Sequence, residues 1–440
     1  MNEKTDLFGT ESIGKLLRKQ AIPASVGIMV MSVYSIIDTI FVGRWVGNMG
    51  IGAITVVMPI TFLISSLGMA IGSGGSSIIS RAFGSKNNDI AYSTFGNQVL
   101  LTTILSISSV VIGYIYLDEI LFLFGAKGEI MPPAREYFAI TLLGVPFLAW
   151  AMMSNHIIRT EGFPKIAMFT LIIPAIINLI LDPLLIIVFD MGMAGAAWAT
   201  VVSYVFSAAF TTHFFVRGKS KMRLQWVYLK IDLPIIKEII SLGSITFVRQ
   251  GVISVLAILL NHVLFTYGAE EGLNIYGIVN RLMFFALFPV LGITQGTLPI
   301  IGYNYGAKNT ERVDETIRLS MRAATITASI IFLLILIFAP QIAAIFTKDN
   351  HLIQEATPAL RWAFLGTPLI AISLIGSGYF QSIGKAKPAL LLSLTKQGFF
   401  LIPLVMILPY FFGVTGAWIS FPIADIGSAI VTYWFFKNHK

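Results

Sequence analysis

Apolar residues fall in long runs along this chain, and polar residues are confined to short breaks between them. Twelve runs stand out, near 22–42, 53–75, 99–116, 137–158, 166–189, 193–216, 241–264, 275–299, 323–346, 360–380, 389–411 and 414–436. Each is close to the roughly 20 residues that carry a helix across the hydrocarbon core of a bilayer. The strict alternation of apolar and polar positions that marks a membrane-spanning barrel is missing. The pattern predicts an all-α integral membrane protein of twelve transmembrane helices. The first run is too long for a signal-peptide core and has no convincing cleavage site, so it is expected to remain as a span.

The runs repeat. LGVPFLAWAMMSNHIIRTEGFPK (Leu143–Lys165) precedes LGTPLIAISLIGSGYFQSIGKAK (Leu365–Lys387) by 222 positions. Leu143, Gly144, Pro146, Ala149, Gly162 and Lys165 each meet their own residue type in the second copy. GSKN (Gly84–Asn87) and GAKN (Gly306–Asn309) align at the same offset. Six spans per half is an even number, so both halves enter the membrane from the same side. The expected architecture is two six-helix lobes, 1–216 and 237–440, related by a pseudo-two-fold axis along the membrane normal and joined by a linker at 217–236. A proline inside a span removes an N–H and disturbs the helix one turn back. Pro23, Pro146 and Pro368 are the hinge candidates, with ordinary kinks as the plainer reading. Gly68 and Gly72 have the small-xxx-small spacing of close helix packing.

Composition strengthens the membrane reading: 56% of residues are hydrophobic and 12% charged, where a soluble domain carries about 25% charged residues. In a soluble protein a net charge of +8 would point to nucleic acid. Its placement argues against that here. With the N-terminus in the cytoplasm, 22 of the 30 Lys and Arg fall on inner segments and 5 on outer ones. That is the positive-inside asymmetry. It predicts both termini in the cytoplasm, the lipid bilayer as partner and no nucleic acid. There is no cysteine, which excludes disulfides, thiolate metal sites and a cysteine nucleophile.

Ionisable residues inside spans are costly and point to function. Asp38 lies about 6 Å below the outer end of span one, and Asp182 about 10 Å below that of span five. Thr200 in span six is about 10 Å down, and Asn178, four residues before Asp182, shares its helix face. Carboxylates, an amide and a hydroxyl at one depth suit a small hard cation. They equally suit a proton, which a buried carboxyl holds more readily when a second carboxylate is near. Aspartates held as helix glue are the structural alternative. In the second half, Arg249, Gln250, Met283, Phe284 and Asp425 are candidates for a substrate cavity. Asp425 pairing with Arg249, and Met283 and Phe284 as packing residues, are the rival readings.

The residues also resemble a known family. YSIIDTIFVGRWVG (Tyr34–Gly47), NLILDPLLI (Asn178–Ile186) and the Gly-rich end of span two leading to Arg81 and GSKN are similar to motifs of the multidrug and toxic compound extrusion (MATE) family. FVRQGVISVLAILLN (Phe247–Asn261) and PIIGYNYGAKN (Pro299–Asn309) are most similar to its MepA-like branch. The resemblance implies a two-lobe, twelve-helix antiporter coupled to H⁺ or Na⁺. DinF-like and archaeal members place an Asp in helix one, an Asn and an Asp in helix five and a Thr in helix six. The matching positions are Asp38, Asn178, Asp182 and Thr200, with any Na⁺ held there. NorM-type members use acids in helices seven and ten, where this chain has Arg249-Gln250 and no acid within span ten.

The functional expectation is a cation-coupled multidrug antiporter that exports organic, mostly lipophilic cationic compounds by alternating access. It is expected to be a monomer and to need no cofactor beyond the coupling ion. A lipid-linked oligosaccharide flippase is the alternative, disfavoured by the few basic residues inside spans. No HExxH or GxSxG pattern supports an intramembrane enzyme.

Overall fold

The computed structural model describes residues 3–223 and 225–439. Helices account for nearly all of them: α1 (Glu3–Thr10), α2 (Ile13–Trp45), α3 (Asn48–Gly84), α4 (Asn88–Ile115), α5 (Leu117–Leu123), α6 (Met131–Thr160), α7 (Pro164–Asp182), α8 (Gly192–Arg217), α9 (Leu233–Gly306), α10 (Thr310–Phe346), α11 (Asn350–Leu365), α12 (Thr367–Ser382), α13 (Ala386–Leu394) and α14 (Ile402–His439). A π-helical turn, Pro183–Val188, continues α7, and another, Thr395–Leu401, joins α13 to α14.

Among the described residues nine helices are long and apolar enough to cross a bilayer, and α11 with α12, bent by 40°, makes a tenth. Two of the nine are double. The 74-residue α9 breaks at Ala269 (φ 49°), and α14 breaks at Gly413 (φ 57°). Counting each side of a break as a span gives the twelve that the apolar pattern predicts. The tenth differs from its sequence outline. It begins at Asn350 and bends at Gly366, because the polar residues from His351 to Arg361 hide its first turns in the hydropathy pattern.

The repeat is visible in the backbone. Lys86 and Lys308 adopt φ of 59° and 58° at the ends of α3 and α9. There Asn87 N donates to Ala82 O and Asn309 N to Asn304 O, both at 2.9 Å. Gly162 and Gly384 share φ of 84°, with Phe163 N donating to Ile158 O and Lys385 N to Phe380 O. These are matching helix stops of the left-handed type, 222 positions apart.

The chain packs as two compact units. The first comprises Met1–Glu11, Val26–Phe247 and Gly302–Asn309, and the second Ser12–Ser25, Val248–Ile301 and Thr310–Lys440. These bounds differ from a simple division at the linker, and close helix crossings explain the exchange. In the first unit the start of α9 lies on α3, where a Cβ at Gly74 would come 2.9 Å from Gly243 N. Ser73 Oγ and Thr246 Oγ1 are 2.9 Å apart beside it. In the second unit the start of α2 lies on α9, where a Cβ at Gly296 would come 2.9 Å from Ala21 N. Gly74 and Gly296, like Ala21 and Gly243, are equivalents in the repeat.

Within lipid, apolar burial adds little to helix association, so close packing of small residues carries more of it. Gly68 and Gly72 press α3 onto the backbone of α6 at Ala149 and Met153, as their spacing predicts. The first unit's core includes Val42, Val57, Phe138 and Leu142. The second unit's includes Leu264, Val279, Leu360 and Trp418.

Candidate functional site

In the first unit α2, α7 and α8 bring polar side chains to one place. Asp38 of α2 and Asp182 at the end of α7 lie within hydrogen-bonding reach of each other. Asp182 is fully buried and Asn178 nearly so. Asn178 Nδ2 donates to Thr200 Oγ1 at 3.5 Å, and Thr200 Oγ1 donates to Ala196 O at 3.0 Å. All four residues selected from the sequence therefore converge. The geometry follows from helix spacing: Asn178 and Asp182 are one turn apart on α7. Pro183 ends the regular helix after Asp182, because its nitrogen has no hydrogen to give to the preceding turn. The chain continues as a π-turn, a device frequent at functional sites.

Three tyrosines complete the cluster and were not singled out from the sequence. Tyr34, Tyr137 and Tyr204 lie close enough to Asp38 to feel its charge, with Tyr34 within hydrogen-bonding reach of Tyr204 and Tyr137 of Thr200. Tyr34 precedes Asp38 by four residues and Tyr204 follows Thr200 by four, so helix periodicity could have found both. Tyr137 comes from α6 and carries no such signal.

Chemically the site is short of donors. Asp182 Oδ1 and Oδ2, Asp38 Oδ1 and Asn178 Oδ1 are buried and have no hydrogen-bond partner among the described residues. An ionised carboxylate only accepts hydrogen bonds. Two of them face to face cannot satisfy each other without a proton or a cation between them. This donor set, all oxygen, suits H⁺ or Na⁺.

The second unit handles its buried acid differently. Asp425 on α14 is 1% exposed, and Lys396 Nζ lies 2.6 Å from its Oδ1. This corrects the rival reading in which Asp425 pairs with Arg249. The sequence reading missed Lys396, whose partner lies on the next span with no periodic spacing to connect them. Arg249 and Gln250 are half-buried on the first part of α9. Met283 packs on the second unit's core, while Phe284 is 57% exposed. The structure thus separates these two neighbours rather than presenting them as one surface. Of the hinge candidates, Pro23 and Pro146 lie inside unbroken helices. Pro368 is the second residue of α12, two positions after the bend at Gly366.

The MatE family profile matches residues 23–184 and 246–407, two equal stretches within one residue of the internal offset. Multidrug export protein MepA of Staphylococcus haemolyticus (strain JCSC1435) is 26% identical over 424 residues, which are 96% of this chain and 93% of that protein. Among solved structures, a MATE protein in complex with MaL6 matches with a TM-score of 0.94 at 25% identity, covering 99% of this chain and 98% of that one. A MOP superfamily transporter from Pyrococcus furiosus Vc1 (DSM3638) matches with a TM-score of 0.93 at 26% identity and the same coverage. Its binding pocket is described as having reverse polarity that suggests a different function.

Proposed function

The chain belongs to the MatE family of multi-pass membrane transporters, and on that premise we propose that it is a cation-coupled exporter of small organic compounds. The observation that carries this reading is the facing pair Asp38 and Asp182, in which Asp38 Oδ1 and both carboxylate oxygens of Asp182 are buried and accept no hydrogen bond among the described residues. Such a pair takes up a proton or a Na⁺ and gives it back when its surroundings change. A ligand moves a two-state protein only by its differential affinity for the states. Export therefore requires that the cation and the exported compound favour opposite states. Inward movement of one positive charge supplies about 2.3 kcal/mol per 100 mV; outward movement of a monovalent cationic cargo costs the same amount, so a one-for-one exchange is driven by the concentration gradient of the coupling ion.

The exported compounds are organic, mostly lipophilic cations, by analogy with the relative named as a multidrug export protein. Asn178 and Thr200 complete the cation's oxygen shell, with the tyrosines of α2, α6 and α8 nearby. The protein lies in the bacterial cytoplasmic membrane with both termini inside, in keeping with its basic inner loops. It works as a monomer, since one chain supplies the whole ion site. Purified protein in liposomes, loaded with a fluorescent lipophilic cation, tests this with Na⁺ and pH gradients imposed one at a time. Efflux should follow one of the two gradients. Equal efflux with and without both gradients overturns the reading.

A further inference from the structure

The second unit contains a buried acid that the proposed cycle leaves unused. Asp425 is sealed from solvent, with Lys396 Nζ 2.6 Å from Oδ1. Its Oδ2 accepts no hydrogen bond among the described residues. That oxygen rests against Gly366, where a Cβ would come within 2.5 Å of it. Lys396 belongs to the π-turn Thr395–Leu401, which inserts an extra residue into the helix and breaks its regular run of facing positions. At the repeat offset Lys396 corresponds to Pro174 and Asp425 to Ser203. Ser203 donates to Ala199 O at 2.6 Å. The ion pair is thus an addition of the second copy, absent from the first.

We propose that Lys396 is a built-in cation, an ammonium tethered where a diffusible ion would otherwise neutralise Asp425. Asp425 is then a latent site for an inorganic monovalent cation, Na⁺ or H⁺, kept filled by the protein's own side chain. Coupling ions are exchanged in the first unit only. The argument is electrostatic. A buried carboxylate needs a countercharge or a proton, and the two units meet that need with opposite chemistry. In the first, both acids face each other and no lysine or arginine forms an ion pair with either among the described residues. In the second, the countercharge is covalently attached. This inference rests on the reading of Asp38 and Asp182 as the exchanging site.

The test measures cation equivalents bound per purified transporter, with ²²Na⁺ at pH 8 and with a pH dye for proton uptake on acidification. Wild type should show a saturable component that Asp38→Asn/Asp182→Asn abolishes. If wild type and this double variant bind alike, the first-unit reading fails, and this inference with it. A residual component in the double variant that Asp425→Asn removes overturns this inference alone, because Asp425 would then be exchanging ions with Lys396 present. Adding Lys396→Met to the double variant should restore one equivalent, which Asp425→Asn should remove again. No gain from Lys396→Met in folded protein also overturns it. Should the Lys396→Met protein fail to fold, the comparison of Asp38→Asn/Asp182→Asn with and without Asp425→Asn still decides, since both keep Lys396.

Discussion

In the first unit Asp38 and Asp182 face each other with acceptors on both sides, while in the second Asp425 lies under Lys396 at 2.6 Å. Both arrangements bury carboxylate, and both grow from one duplicated backbone plan with matching turns at Lys86 and Lys308 and at Gly162 and Gly384. The difference shows what a repeat conserves. Helix stops and close crossings are kept because the packing of each half depends on them. The charges in the spans are free to diverge, and a fixed cation in one half leaves ion exchange to the other.

The sharpest way to break this comparison is to remove the first unit's acids. Asp38→Asn and Asp182→Asn should each lower gradient-driven efflux from proteoliposomes roughly 5- to 150-fold, the usual span of a coupling free energy. The purified proteins should keep the monodisperse elution of wild type. Full gradient-driven efflux by either variant would remove that acid from the coupling site. A second test makes the first unit resemble the second. Asn178→Lys brings an ammonium beside Asp182 and should abolish the response to an imposed gradient to a similar extent. Asn178→Met, of similar bulk and no charge, should retain more of it. An equal loss in both variants would show that size, not charge, is responsible.

Part of this comparison was legible in the sequence. Span count and repeat were readable because apolar runs and a shared offset need no knowledge of packing. Asp38, Asn178, Asp182 and Thr200 were readable because depth along a helix follows from residue number. Tyr137 was not, since it reaches the site from α6, whose register against α7 and α8 is set only by packing. Lys396 was not legible as a partner for Asp425. Arg249 drew attention as the more obvious partner for Asp425, but the π-turn that presents Lys396 leaves no pattern in composition. The linker was legible only as the boundary between the repeats, and nothing in its sequence signals that its residues 220–222 are fastened to Glu161.

Glu161 offers a smaller contrast at equivalent turns. Its carboxylate is 1% exposed and accepts hydrogen bonds from Ser220 Oγ at 2.7 Å, Lys221 N at 2.9 Å and Met222 N at 3.2 Å. Burial pushes its pKa up to about 7, against those hydrogen bonds, which pull it down. At the same turn the second unit has Ile383, which titrates nothing. Between an unfolded value of 4.5 and about 7 the folded protein holds the extra proton. Glu161 therefore costs stability progressively as pH rises through that window, on the order of 3 kcal/mol across it. Thermal midpoints of detergent-purified protein should fall more from pH 5 to pH 8 in wild type than in Glu161→Gln. Parallel pH profiles would show that the turn is electrostatically silent in both units.

The bend in the tenth span distinguishes the units through another equivalent pair. A Cβ at Gly366 would sit 2.5 Å from Asp425 Oδ2 and 2.6 Å from its Cβ. At Gly144 its nearest neighbours would be the side-chain atoms Tyr204 Cδ2 at 3.1 Å and Val201 Cγ2 at 3.2 Å, with the backbone no closer than Val201 Cα at 3.5 Å. Overpacking of this kind costs about 1–3 kcal/mol where nothing can move aside. Gly366→Ala should therefore lower the thermal midpoint more than Gly144→Ala does. The opposite order would mean that Asp425 is not held against the bend.

The smallest effect concerns the outer breaks at positions 47 and 269, equivalents in the repeat. Gly47 has φ 95° and ψ −172°, and a Cβ there would meet nothing within 4 Å. Ala269 has φ 49° and ψ −145°, a region open almost only to glycine, where other residues store about 1–3 kcal/mol of strain. One copy thus carries the residue that its turn requires, and the other carries strain instead. Ala269→Gly should stabilise the protein by about 1 kcal/mol, after the entropic cost of a glycine is set against the relief of strain. Gly47→Ala should destabilise it by a comparable amount. Because no side chain crowds Gly47, a loss there can only come from backbone conformation. Chemical denaturation in mild detergent can resolve shifts of this size. If Ala269→Gly is neutral while Gly47→Ala is costly, the second copy has relaxed its turn by other means, and the equivalence of the two breaks ends at their position in the chain.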